Sequence, residues 1–350
     1  MLSGLVARLS DADGPADQAG LWPQELWSIL EAAGASRWAL PREYNGEDCD
    51  RSTILRRYAR VAEGSLTAAF ILSQHDAAVR RLIAAIERPV ARNWLRLIGQ
   101  GKAFATVGIS QLTTSRRHSE QAVRAREVAP GQFLVDGLIP WVTAACSAEV
   151  FVAGASTDDG RQLLFALPAD REGLKIRPPF ALAALQASCT SELSCEGVTI
   201  EESDLLAGPV LDVMGVTSGG GTGGLETSAL AMGQALAALK ALEAVGRDDL
   251  FEPAEALRES WERLRDELMA TAEGLPAAPT SAAVRAHAND LVLRITQSYL
   301  TARKGSGFLL EDSAQRWARQ ALFFLVWSCP SPVAHASIRD LAGLCPARGI

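Results

Sequence analysis

Apolar residues recur at helical spacing toward both ends of the chain and gather into short runs in its middle. Trp22, Leu26, Ile29, Leu30 and Ala33 fall on one helical stripe, and Pro23 stands where a first turn tolerates a residue without an N–H. The same periodicity predicts helices over 51–62, 66–86 and 88–98, with Pro41 and Asn45-Gly46 marking an extended loop and turn before them. From Ala103 to about Leu206 the pattern changes to β-rich runs at 104–109, 132–135, 150–153, 163–167 and 198–200, punctuated by Pro130-Gly131, Asp158-Asp159-Gly160 and Asp170 to Gly173. After a glycine-rich stretch, Ser218 to Gly224, helices resume. Leu225, Ala229, Met232, Leu236 and Leu239 make one apolar stripe, and Gly233 with several alanines keeps that helix thin enough for close packing. Further helices fit 255–272, 281–302 and 312–327. The order is therefore helices, sheet, helices, divided at 1–102, 103–215 and 216–350, with no internal repeat.

Length and composition narrow the class. With 350 residues, 48% hydrophobic and 21% charged, the chain can bury a substantial core. Its formal net charge of -7 argues against a nucleic-acid partner, since neutralising phosphates needs a basic face. No apolar run approaches the ~20 residues of a membrane span, and the N-terminus shows no secretory pattern, so a cytoplasmic protein is expected. Neither the six cysteines nor the four histidines fall at metal-ligand or dithiol spacing, so no metal site is expected and the cysteines read as reduced, packed thiols.

Gly219, Gly221 and Gly224 satisfy G-x-G-x-x-G ahead of a helix, as a dinucleotide-binding turn would. That fingerprint also requires a second parallel strand carrying an acidic residue about 20 positions on, and here the helix leads to Gly246-Arg-Asp-Asp and another helix. The glycines read as a domain joint and helix entry.

Five local motifs, in order, carry a family resemblance. They are Gly34 to Trp38 with Pro41, Tyr44 and Gly46; Val107-Gly-Ile-Ser110-Gln111 continuing to Ser115; Gly137-Leu-Ile-Pro-Trp141-Val-Thr143; Leu185 to Leu206; and Gly305-Ser-Gly307-Phe308 followed by Arg316-Trp-Ala-Arg319. Over nearly the whole chain this resembles the acyl-CoA dehydrogenase family. The resemblance implies an α+β multidomain fold: an N-terminal helical domain, a central β-barrel-like domain and a C-terminal four-helix bundle. It also implies FAD, with FMN as the other flavin considered, and α,β-dehydrogenation of an acyl thioester by proton removal and hydride transfer to the flavin. Cofactor contacts carry over to Ser110, Trp141, Thr143, Gly305, Gly307 and Arg316, and a substrate contact to Ser115. For Trp141 the competing reading is a core aromatic beside a strand.

The departures bear on mechanism. One family subgroup places its catalytic glutamate just before the first arginine of the C-terminal motif, where this chain has Gln315, an amide that cannot act as a base. A second subgroup places it at the start of the first C-terminal helix, where Leu225-Glu226-Thr-Ser-Ala-Leu230 is similar, so Glu226 is the candidate base. A glutamate in a helix's first turn is also favoured by the macrodipole without any catalysis. The glutamate and aspartate of two other motifs are Gln111 and Gln320 here. Two alternatives therefore stand beside the dehydrogenase: a flavin monooxygenase on the same fold, which needs no such base, and a catalytically silent binding scaffold. The resemblance further implies a homodimer or homotetramer through the helices at Leu225 and 321–327, with the electron acceptor open.

Overall fold

Side-chain caps and apolar periodicity set the helices of the N-terminal part. The computed structural model describes residues 2–113, 123–216 and 224–344. Helices α1 (Leu2–Ala19), α2 (Gln24–Ala32), α3 (Arg51–Gly64), α4 (Leu66–Ala84) and α5 (Pro89–Gly99) come first. Asp50 caps α3 by accepting from the Thr53 N–H at 2.8 Å, and Ser65 caps α4 by accepting from the Ala68 N–H at 3.1 Å. No stripe before Trp22 is assigned from the sequence, yet α1 buries Leu5, Leu9 and Ala12 at helical spacing and continues through Pro15.

The middle of the chain supplies β1 (Ala105–Gly108), a short helix α6 (Ser110–Thr113), β2 (Val123–Ala129), β3 (Gln132–Val142), β4 (Val150–Thr157), β5 (Gln162–Pro168), β6 (Leu174–Ile176), β7 (Ser191–Glu201) and β8 (Leu205–Val210). These strands form one sheet in the order β6-β7-β3-β2-β4-β5-β8, and β1 runs parallel to the first half of β4. Strand β4 is buried on both faces, which explains its unbroken apolar run. Val150 and Val152 join Leu164 and Ala166 of β5 against α4 and α5, while Phe151, Ala153 and Ala155 join Leu163 and Phe165 in the main core. The sequence pattern misses β2 and β6, whose exposed residues dilute the apolar signal, and β8, which Gly208 and Pro209 interrupt.

The last part contains a one-turn α7 (Val213–Val216), then α8 (Leu225–Glu243), α9 (Phe251–Ala272), α10 (Ser281–Arg303), α11 (Ser313–Ala321), α12 (Phe323–Val326) and α13 (Ser331–Leu341). The single helix expected over 312–327 is in fact broken at Leu322. The end of α12 is fixed from α10: Arg285 donates to the Phe324 and Trp327 carbonyls at 3.2 and 2.9 Å, and Asn289 donates to the Phe324 carbonyl at 2.9 Å. Those carbonyls are thereby turned away from a continuing helix ladder. Of the two helices expected to carry self-association, Leu225 is buried within the chain, whereas Leu322 and Val326 are exposed. Among the described residues no helix is long and apolar enough to cross a membrane.

Helices α3 and α8 approach closely because Gly233 faces Ala59. A Cβ at Gly233 would lie 2.1 Å from the Ala59 carbonyl oxygen and 2.8 Å from the Ala62 Cβ. Gly233→Val should therefore force the two helices apart and cost about 1–3 kcal/mol. A thermal melt checks this, and an unchanged midpoint would contradict the packing.

Candidate functional site

Trp141 lies in a β-bulge near the end of β3. Ile139 pairs with Leu193 and Val142 with Ser191, so Pro140 and Trp141 together oppose the single residue Glu192. Pro140 has no N–H to give to the ladder, and Trp141 takes a left-handed φ of 58°. Such a conformation is strained for a bulky residue and persists only where the surroundings enforce it. Here Ser110, at the start of α6, donates its hydroxyl to the Pro140 carbonyl at 2.9 Å. Beyond the bulge, the Thr143 carbonyl accepts from Thr106 at 2.9 Å, and the Thr143 hydroxyl pairs with that of Thr190 at 3.2 Å. Thr190 in turn meets the Ser188 hydroxyl at 2.8 Å. The result is an indole that is 47% exposed on an otherwise buried scaffold.

Aromatic side chains surround one side of that indole. Its ring centroid is 5.0 Å from Phe180 and 6.5 Å from Trp327, the latter edge-on. Trp327 stacks on Phe323 at 5.5 Å and meets Phe70 of α4 edge-on at 4.7 Å. Arg285 holds the backbone of this group in place from α10. It is fully buried, its Nη1 has no hydrogen-bond partner among the described residues, and burial pulls its pKa down to about 10. Phe180 and Phe70 carry no distinguishing sequence signal, because their roles depend on long-range packing. The i,i+4 spacing of Phe323 and Trp327 does mark a shared face, read from the sequence as core or interface.

Glu226 occupies the first turn of α8, facing α4 at a different point. Its carboxylate is 3.7 Å from the Arg80 guanidinium, and Arg80 contacts the Tyr58 hydroxyl at 3.5 Å. Tyr58 donates to Asp76 at 2.6 Å, and both are fully buried. Burial pushes the Asp76 carboxyl up, against the pull of His75 and Arg80, while burial and the neighbouring Asp76 push the Tyr58 hydroxyl well up. Arg80 is pushed up as well, because Tyr58, Glu226 and Asp76 outweigh its own burial. Arg80 follows Phe70 by ten residues, about 15 Å of helix. The polar cluster and the aromatic group therefore occupy separate stretches of α4.

The remaining residues singled out in the sequence lie away from the Trp141 bulge or make contacts of their own within the chain. Arg316 is buried against Asp13 of α1 at 2.9 Å, and Ser65 donates to the other Asp13 oxygen at 2.6 Å. Arg319 pairs with Asp17 at 2.6 Å and donates to the Ala183 carbonyl. Gln315 donates to the Leu310 and Asp312 carbonyls and accepts from Arg319, fixing the entry to α11. Gly307 is buried where a Cβ would meet the Arg303 Cβ at 2.6 Å, whereas Gly305 is exposed with open space around it. Ser115, Gly219 and Gly221 lie outside the described residues. The structure thus brings Ser110, Trp141 and Thr143 together and places Glu226 and Arg316 at two other helix contacts. A cleft of about 640 Å³ lies between α1 and the segment after Phe180, lined in part by Asp17, Leu182, Gln186 and Arg319. Among the described residues no group of three metal-ligating side chains converges.

Comparison with known proteins places this geometry. No family model matches the chain. It is 22% identical over 329 residues to the probable acyl-CoA dehydrogenase YngJ of Bacillus subtilis (strain 168), covering 87% of this chain and 86% of that protein. Among solved structures it superposes on butyryl-CoA dehydrogenase from Megasphaera elsdenii with a TM-score of 0.82 at 17% identity, covering 96% of this chain and 97% of that one. It also superposes on dibenzothiophene monooxygenase TdsC from Paenibacillus sp. A11-2, whose structures include an FMN-bound form, with a TM-score of 0.80 at 15% identity, covering 98% and 95%.

The Asp13–Arg316 pair yields a direct test. Arg316→Met leaves the Asp13 carboxylate buried without its cation and should cost about 3–5 kcal/mol, and adding Asp13→Leu should restore most of it. Chemical denaturation of the single and double variants checks this; equal, small losses in both would contradict the pairing.

Proposed function

We propose that this chain, which has the acyl-CoA dehydrogenase fold, is a flavin-dependent oxidoreductase acting on an acyl thioester, with the Trp141 bulge as the surface that meets the flavin ring. The observation that carries this reading is the half-exposed indole in a left-handed bulge. Strained aromatic residues of this kind concentrate at functional sites, and bulges re-aim side chains there.

The residues present fit a flat aromatic cofactor at this point. The indole offers a planar apolar face. Ser110 fixes it through Pro140, and Thr143 fixes the chain beyond it through Thr190. The two hydroxyls thus act as positioning groups. Arg316, held by Asp13, belongs to the scaffold and not to this surface. A bound flavin supplies the acceptor for a hydride, and FAD is the form proposed, with FMN to be compared directly. Glu226 is the proposed base for the α-proton, oriented by Arg80 at the start of α8.

A second reading has its own observation. The rings that contact Trp141 are Phe180 and Trp327, with Phe323 and Phe70 packed behind Trp327, whereas Glu226 joins α4 about three turns from Phe70. Such a lining suits a monooxygenase acting on an apolar substrate, which needs no α-carbon base.

The two readings separate by experiment. Anaerobic addition of acyl-CoA thioesters to the flavin-loaded protein should bleach the flavin, and Glu226→Gln should slow that bleaching by about 10²–10⁴-fold. An unaffected variant would remove Glu226 from the reaction. Product formation that requires oxygen and externally reduced flavin would favour the monooxygenase. Trp141→Ala should weaken flavin binding about tenfold, measured by equilibrium dialysis, and an unchanged affinity would contradict the assigned surface.

A further inference from the structure

Two cysteines face each other just beyond the end of the β3–β7 ladder. The last backbone pair is Val142 with Ser191. The two segments stay together past it, through the Thr143–Thr190 hydroxyl contact at 3.2 Å and the Ala144 N–H donating to the Ser188 carbonyl at 2.9 Å. Cys146 follows on one segment and Cys189 on the other, within electrostatic reach of each other. Their surroundings differ. Cys146 is exposed on a single 3-10 turn (Ala145–Ser147), with the Ser147 hydroxyl 3.6 Å from its sulfur. Cys189 is 3% exposed and takes a left-handed φ of 47°. The five described cysteines are free thiols, and the sequence reading of all of them as packed does not hold for Cys146.

We propose that Cys146 and Cys189 form a reactive dithiol site that takes a hydroperoxide as its co-reactant and closes to an intramolecular disulfide. In the first step the Cys146 thiolate attacks one peroxide oxygen. An S–O bond forms, the O–O bond breaks, and with hydrogen peroxide as the oxidant the departing hydroxide takes up one proton and leaves as water. In the second step the Cys189 sulfur displaces hydroxide from the Cys146 sulfenic acid. The S–S bond forms, and the released hydroxide combines with the Cys189 proton as a second water. Overall two thiols are oxidised by two electrons and one hydrogen peroxide is reduced to two waters.

The division of labour follows from exposure and hydrogen bonding. An attacking thiol must be reachable and ionised, and a resolving thiol need only be adjacent. The neighbouring Cys189 thiol, with the Ser147 hydroxyl, lowers the Cys146 thiol to about 6 against the effect of burial. Cys189 is pushed up by that same contact and by burial, so it keeps its proton until the second step. The disulfide would close a ring from 146 to 189 that contains Phe180, the residue flanking Trp141. The site stands whether or not the chain turns over an acyl thioester.

Treatment of the intact full chain with hydrogen peroxide, followed by alkylation and non-reducing peptide mass spectrometry, tests the proposal. Two thiols per chain should disappear together as a Cys146–Cys189 link, while Cys49, Cys195 and Cys329 remain alkylatable. In Cys189→Ala, oxidation should stop at a Cys146 sulfenic acid captured by dimedone. Cys146→Ser alters an exposed position and should leave Cys189 reduced, so the test does not depend on the buried variant folding. In the untreated protein at pH 7, iodoacetamide should modify Cys146 at least about tenfold faster than Cys49. Equal alkylation rates, pairing with another cysteine, or oxidation of Cys146 without loss of the Cys189 thiol would overturn it.

Discussion

One buried carboxylate ties the first helix of the chain to one of its last. Asp13 on α1 accepts from Ser65 and from Arg316 on α11, and the same Ser65 hydroxyl caps α4. A carboxylate taken out of water is costly unless both oxygens are satisfied, so the three elements must come together for any of them to be tolerated. Burial pushes the Asp13 carboxyl up, and Arg316 and Ser65 pull it back down. Helix α4 begins at that junction and presents Phe70 early and Arg80 later. Helix α11 leaves it and leads into the Phe323–Trp327 turn.

The candidate site inherits its shape from that arrangement. From the sheet comes Trp141, aimed outward because a proline and a bulge interrupt the ladder. From the helices come Phe70, Phe323 and Trp327, with the segment of the last two anchored by Arg285 and Asn289 through the Phe324 and Trp327 carbonyls. A buried guanidinium without a carboxylate partner is unusual, and here backbone and side-chain carbonyl groups take that place. Glu226, Arg80, Tyr58 and Asp76 form a separate polar chain at the α3–α4–α8 contact.

Much of the architecture was legible in the sequence because its signals are local. Helical stripes, turn residues and the switch in period near Ala103 located most helices and five strands, and the small residues of α8 anticipated its close approach to α3. The failures are those of long-range context. Helix α1 contains Gly14-Pro15, which weaken a local helix signal, and it buries Leu5, Leu9 and Asp13 against the rest of the chain. The end of α12 is held by Arg285, which lies 39 positions before Phe324 and carries no local mark. At the site, the Trp141 motif was visible as a pattern. Its aromatic surroundings were not, since they come from three separate segments. The pairing of Cys146 with Cys189 was hidden for the same reason: 43 positions separate residues that the β3–β7 ladder brings together.

The central claim is that the Trp141 bulge is a flavin-binding surface. The most direct measurement is the visible absorption spectrum of the purified protein after incubation with FAD, or separately FMN, and removal of unbound flavin. Retained flavin bands, shifted from those of the free cofactor by contact with an aromatic face, are the predicted result. A colourless protein that takes up neither flavin would contradict the claim and leave the fold as a binding scaffold.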